Sequence, residues 1–366
     1  MNIYLLSDRA LYSSVSYDPL FELEDILVKT CGAKLLIPTQ SQGAQWANQQ
    51  PKIASNFLNK VVRRTTGSYK LTDEALESIK KPNVLLIIAL CGANLATLSS
   101  ISNWRDKFDV VAAYIFDAWG FHIYPKYTSQ LDRLFVPMPE LIEGLKQSFA
   151  IPVSSLPFGV DALTHGSSGG VNRPIDLISY GRIPKQYHTA FNNKFNQPGS
   201  GRIYYRSTPR AGENYPKMPY EERRDREDRM LLFKILRRTK LCLAFDTLYP
   251  GMREFPHSFV TLRWFEGGAA GCAIIGKRPI TPAAEQLLNW EDATIELPDD
   301  PEASVKLIEE LLQDEPRLHS IHKRNYIENL TRHDWRWRIK SMLEELKIPL
   351  PVRLAEELSQ MLVVSS

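Results

Sequence analysis

Val84-Leu85-Leu86-Ile87-Ile88-Ala89-Leu90 is an apolar run without polar alternation. A strand with one wet face alternates apolar and polar side chains. A short unbroken run belongs to a strand covered on both faces, as in a parallel sheet between layers of helices. Candidate strands lie on either side of it: Ile3–Leu6, Lys34–Ile37, Val110–Phe116, Arg133–Val136 and Val153–Leu156. Helical patterns at Leu20–Thr30, Thr72–Lys80 and Glu140–Phe149 fall between them. Strands alternating with helices predict a parallel α/β layer with right-handed crossovers.

This series ends at Leu156-Pro157-Phe158-Gly159-Val160-Asp161, followed by Gly166-Ser167-Ser168-Gly169-Gly170. Clustered Pro, Gly and Ser between two periodic regions predict an interdomain linker over 159–170. A second series follows, with strands at Asp176–Tyr180, Arg202–Tyr205, Leu241–Ala244, Cys272–Ile275 and Thr294–Leu297. Its helices are read at Glu221–Arg238, Leu262–Ala270 and Glu302–Gln313, and Asp300 before Pro301 suits an N-cap with proline at the first helical position. Leu354, Leu358 and Leu362 predict a final amphipathic helix. The 366 residues suit two domains of ~150–180 residues each. The expected fold class is therefore α/β, with two Rossmann-like halves and a cleft between their carboxyl edges, where ligands of such sheets bind.

Composition narrows the function. Apolar residues make up 43% and charged residues 24% of the chain, as in ordinary globular proteins. Lys plus Arg number 45 against 42 Asp plus Glu, which gives no electrostatic case for nucleic acid. The scattered Cys31, Cys91, Cys242 and Cys272 form neither a disulfide framework nor a zinc pattern, and the last three read as buried thiols. The apolar start breaks after Leu6 with no basic region before it, and no 18-residue apolar run occurs; a cytoplasmic protein is expected. Basic residues gather at 60–64, 202–210 and 221–240. The last stretch alternates sign as a solvated helix face does, the alternative being peripheral contact with an anionic membrane surface or lipid-linked acceptor. Trp335 and Trp337, at helical spacing with Ile339, read as packing.

The segment richest in chemistry runs from Ser258 to Gly276, SFVTLRWFEGGAAGCAIIG. Thr261 suits an N-cap, Gly267, Gly268, Ala269 and Ala270 suit close packing, and Gly271 suits a left-handed exit into a strand. The start of such a helix offers unpaired N–H groups near Leu262 and a positive dipole end, a seat for phosphate that Arg263 would reinforce. Glu266, one turn on, is placed to accept hydrogen bonds from a ribose diol. The plainer alternative is a packed helix with a surface Arg and Glu. In the first half, Phe116-Asp117-Ala118-Trp119-Gly120-Phe121-His122 leaves a strand end, where Asp117 or His122 would orient a hydroxyl. A turn-capping Asp and a solvated loop His are the alternative there. No D-x-D pair suggests a metal.

Arg263, Phe265, Glu266, Ala269 and Gly271 resemble the Arg-x-Phe-Glu-x-x-Ala-x-Gly pattern of the spore-maturation-like group 1 glycosyltransferases, a family 4-type variant with the GT-B fold. Residues 156–161 resemble the interdomain P-x-G-V-D of that fold, and 176–182 its first donor-domain strand. His333-Asp334-Trp335 with Arg338 resembles its H-T-W-x-x-R helix. The resemblance spans about 84–346. It implies an acceptor-binding domain at 1–158, a donor domain at 171–330, and C-terminal helices over 331–366 returning to the first domain. It also implies transfer from a nucleotide-diphosphate sugar to a hydroxyl, with retention and without a metal or cofactor. Arg182 and Lys185 would hold the diphosphate, with Leu262, Arg263, Glu266 and Gly267 completing the donor site. Asp117 and His122 fall where the family keeps a catalytic Asp or His. The pattern departs at Ser258, where the E-x7-E motif has its first Glu; Glu254 lies four residues early. A nucleotide-sugar epimerase of the same fold, or a non-catalytic sugar-nucleotide-binding protein, are the rival readings.

Overall fold

In a computed structural model of the chain, the apolar run at 84–90 lies within a strand inside a six-stranded sheet. The structure describes residues 1–12, 14–50, 55, 58–59, 61–62, 67–168, 172–206, 227–252 and 256–364. They divide into two units. One comprises the described residues of Met1–Pro157 and Ile339–Glu356; the other comprises those of Phe158–Pro216, Glu227–Arg338 and Glu357–Ser366.

The first unit carries β1 (Asn2–Leu6), β2 (Lys34–Leu36), β3 (Thr39–Gln40), β4 (Tyr69–Lys70), β5 (Asn83–Cys91), β6 (Val110–Asp117), β7 (Arg133–Val136) and β8 (Val153–Ser155). β3 and β4 pair antiparallel with each other. The remaining six run parallel in the order β2-β1-β5-β6-β7-β8. Val84 to Ala89 are all buried, as a strand covered on both faces requires. Helix α1 (Asp18–Cys31) buries Leu20, Leu23 and Leu27 on its inner stripe. The chain steps outward from β1 to β2 and returns on the other side at β5. The strand order therefore reverses between β1 and β5, which opens a crevice at their carboxyl ends.

The second unit repeats the scheme with β9 (Ile175–Ser179), β10 (Tyr204–Arg206), β11 (Thr239–Phe245), β12 (Ala273–Lys277) and β13 (Ile295–Glu296), parallel in the order β10-β9-β11-β12-β13. Its reversal lies between β9 and β11. Its longer helices are α2 (Lys185–Phe195), α3 (Glu227–Leu236), α4 (Leu262–Ala269), α5 (Pro301–Gln313) and α6 (Glu315–Glu328). Tyr187, Phe191 and Phe195 of α2 and Val305, Ile308 and Leu311 of α5 share one core with Leu241 and Leu243 of β11. Asp300 caps α5 by accepting from the Ala303 amide at 2.9 Å, with Pro301 in the first turn as expected. Gly271 adopts φ +78° at the exit of α4, where a Cβ would lie 2.5 Å from the Ser167 carbonyl oxygen.

Several expectations change. The helix read at Thr72–Lys80 is only Asp73–Glu77, because Ser78 closes it and Pro82 follows. Residues 159–168 are not a loose linker. Val160 N–H donates to the His333 carbonyl at 3.1 Å, Trp335 N–H to the Val160 carbonyl at 3.0 Å, and Arg338 to the Phe158 carbonyl at 3.1 Å. These bonds fasten the segment within the second unit. Of the C-terminal stretch, only Ile339–Glu356 groups with the first unit; 331–338 and the residues from Glu357 onward group with the second. The last two helices are α7 (Trp335–Glu345) and α8 (Val352–Val364). In α8 Met361 is buried and Leu362 is 53% exposed. At about 100° per residue, position i+7 from Leu354 stays on its stripe and i+8 drifts off. The expected register therefore shifts by one.

Arg336 is fully buried, donating to Asp161 at 2.8 Å, Asp334 at 2.9 Å and Glu357 at 2.5 Å. Trp335 is buried, as read from its spacing. Lys60, Arg63, Arg64 and residues 207–226 lie outside the described residues, as does Glu254. Among the described residues no helix is long and apolar enough to cross a membrane.

Candidate functional site

The crevice between β9 and β11 gathers most of the expected donor residues. β9 ends at Ser179, and the chain leaves through Tyr180, Gly181 and Arg182 into α2, whose first residue is Lys185. Helix α4 begins beside that exit. Thr261 holds its N-cap position with extended backbone, but among the described residues its side chain makes no capping bond and its buried Oγ1 has no hydrogen-bond partner. The first-turn amides at Leu262 and Arg263 are thus left without a side-chain cap at the positive end of the helix. Arg263 Nη1 donates to the carbonyl of Arg182 at 2.5 Å, joining the helix start to the strand exit. Arg182 and Lys185 themselves are exposed.

Glu266 lies one turn deeper and is 4% exposed. Its Oε2 accepts from the Tyr180 hydroxyl at 2.9 Å, and its Oε1 pairs with Arg229 of α3. The Arg229 guanidinium also covers the Phe233 ring at 4.9 Å from the centroid. Burial, then the Glu266 charge, pushes the Tyr180 phenol well above its usual range, so it remains a hydrogen-bond donor. Each Glu266 oxygen keeps a lone pair beyond these bonds, and only those remain for a further hydroxyl.

Gly267 requires a correction. It faces the sheet, where a Cβ would lie 2.7 Å from Ile274 Cδ1 and 3.0 Å from Cys242 Sγ. Deep inside α4, its N–H belongs to the helix ladder, so it packs the helix onto the sheet and offers a donor nothing. Gly267→Ala should cost about 1–3 kcal/mol through overpacking, set against a helix-propensity gain of up to ~1 kcal/mol. Urea denaturation checks this, and an unchanged midpoint would contradict so close an approach.

Ser258 performs a different task from a motif carboxylate. Its hydroxyl donates to Asp246 Oδ1 at 2.9 Å, fixing a half-buried carboxylate that follows β11 directly. The neighbouring Thr247 hydroxyl donates to the His257 carbonyl at 2.6 Å. Asp246, Tyr180 and Arg229 were not singled out by the sequence patterns; position just after a strand is the signal that marks the first two.

In the first unit, Asp117 closes β6, half-buried, in register with Cys91 of β5. His122 is exposed in the short turn Phe121–Ile123. At the β1/β5 crevice a further carboxylate stands out. Asp8 is 3% exposed, and Asn94 Nδ2 donates to its Oδ2 at 2.7 Å and to the Tyr17 hydroxyl at 3.2 Å. Burial pushes Asp8 up to about 7, with Asn94 pulling the other way and Glu24 adding to the rise. The neighbouring Arg9 is committed to Glu24, at 2.7 Å, and to Asp25. Among the described residues, no group of three or more His, Cys, Asp or Glu side chains is placed to hold a metal.

Residues 197–344 match the family model described as glycosyl transferase-like. The crystal structure of HepE from Anabaena in complex with UDP and glucose is similar at a TM-score of 0.52, with 10% identity over 95% of this chain and 99% of that one. HepE in complex with UDP gives a TM-score of 0.50 at 11% identity, covering 95% of this chain and 100% of that chain. The pneumococcal O-GlcNAc transferase GtfA, in complex with UDP and GlcNAc, has 13% identity and a TM-score of 0.44 over 77% of this chain, which spans only 61% of its length. No curated protein sequence matches. The fold is the GT-B arrangement of two Rossmann-like domains. Arg263 and Glu266 lie inside the matched stretch, Arg182 and Lys185 just before it.

Proposed function

We propose that this glycosyltransferase moves a sugar from a nucleotide-diphosphate donor to a hydroxyl, with retention at the anomeric carbon and without a metal or cofactor. The subtype proposed is the spore-maturation-like, family 4-type group. The observation that carries the donor site is the Arg263 bond to the Arg182 carbonyl. It holds the strand exit against the first turn of α4 at the reversal of the second sheet, where ligands of such folds bind. The UDP complex of HepE agrees with a nucleotide donor.

In this reading the diphosphate rests on the α4 amides, with Arg182 and Lys185 neutralising the charge that grows as the bond to the sugar breaks. Glu266, steadied by Tyr180, gives its remaining lone pairs to the ribose. Asp246 supplies a strand-end carboxylate near the reacting region, in place of the motif carboxylate absent at Ser258. Asp117 and His122 would orient the acceptor in the first unit. Retention rests on the motif resemblance.

The test is a calorimetric titration with UDP and GDP, followed by sugar release from the matching donors. Arg182→Ala should weaken nucleotide binding about tenfold or more, the loss of one charge-assisted contact. Unchanged affinity in that variant would remove the site. Binding with an epimerised donor as product would favour an epimerase, and binding with no turnover a non-catalytic sugar-nucleotide-binding protein.

A further inference from the structure

The first sheet's reversal holds a group that neither packing nor ion pairing explains. Asp8 lies two residues beyond the end of β1 and is buried against Asn94, with no cation paired to it among the described residues. A carboxylate so placed costs folding free energy, and such costs concentrate where a ligand uses them. The turn it begins leads to Tyr12, whose N–H donates to the Asp8 carbonyl at 3.2 Å. The Tyr12 ring stacks almost parallel on Tyr17, with centroids 4.5 Å apart and planes 8° apart. Tyr17 stacks in turn on Phe21 at 5.9 Å. One face of Tyr12 is thus fixed, while 36% of the residue reaches solvent. Asn94 bridges the stack to the carboxylate through its single donor nitrogen, bonded to both Tyr17 and Asp8.

We propose that this crevice is a carbohydrate subsite, in which Tyr12 stacks on the C–H face of a pyranose ring and Asp8 accepts a hydrogen bond from one of its hydroxyls. A pyranose presents an apolar face and a hydroxylated edge at right angles, which matches a half-exposed aromatic ring beside a buried acceptor. With no cation paired to Asp8 among the described residues, phosphate and carboxylate ligands find no counter-charge at it, so the subsite suits a neutral sugar and not a nucleotide. Naming that sugar the acceptor rests on the transferase reading; the binding itself does not.

Saturation-transfer NMR on the full chain tests it, with methyl α-D-glucopyranoside, methyl β-D-galactopyranoside, N-acetylglucosamine and maltose as probes. Transfer to the ring C–H protons of at least one probe is expected. It should fall about tenfold in Tyr12→Ala, persist in Tyr12→Trp and weaken in Asp8→Asn. Tyr12 is exposed, so its variants should fold, and circular dichroism verifies this. No transfer to any probe, or equal transfer in Tyr12→Ala, overturns the subsite. A UDP titration on the same samples separates the two readings. UDP bound without sugar sinks the subsite alone, whereas sugar bound without UDP leaves the subsite standing and sinks the donor assignment.

Discussion

Arg336→Met should destabilise the second unit by about 3–5 kcal/mol, the usual cost of stranding buried charges. Asp161, Asp334 and Glu357 converge on this one guanidinium, and Asp334 is itself fully buried. Burial already raises Asp334 to about 6, and Arg336 is the strongest influence opposing that rise. With methionine in its place, the carboxylates must take up protons or remain charged without a partner. Arg336→Lys keeps the charge but not the planar fork that spans several acceptors, so it should fall between the two. The measurement is the urea midpoint followed by fluorescence of the buried Trp264 and Trp335. A loss below about 1 kcal/mol in the methionine variant would show the cluster to be dispensable.

Asp8→Asn should act in the opposite sense, stabilising the protein on the alkaline side. The folded-state value of about 7 lies above the ordinary 3.8. Between these values the folded protein holds a proton that the unfolded chain has released. Stability therefore falls as pH rises through that window, and levels off above it. Glu24 faces the same pocket and is raised to about 6 by burial against the pull of Arg9, while Tyr12, Tyr17 and Cys91 stand close by. Asparagine has no charge to bury and can still accept from Asn94. The variant should match the parent near pH 4 and exceed it at pH 8 by on the order of 3–4 kcal/mol. Melting temperatures of both proteins across that range provide the check, and parallel curves would refute the assignment. The same variant is expected to bind sugar less well, so stability would be gained where binding is lost.

The framework was legible because its signals are local. The run at 84–90 announces a doubly covered strand, Asp300 with Pro301 marks a helix start, and Gly271 marks a helix exit. What stayed hidden depends on distant partners. Arg336 sits in the sequence Trp-Arg-Trp-Arg and reads as a surface charge until residues 161 and 357 arrive to bury it. Arg229 lies in a run of alternating charge, and only its meeting with Glu266 distinguishes it from its neighbours. Gly267 misled because motif spacing does not tell which face of a helix meets the sheet. Asp8 lies just past a predicted strand, but nothing nearby in sequence reveals that Asn94 will close over it.

The bond from Arg263 to the Arg182 carbonyl bears on how a ligand arrives. A strand exit already fastened to the neighbouring helix has little freedom left to surrender. An incoming phosphate would meet a mould that has set, and encounter, not rearrangement, would govern how quickly it is captured.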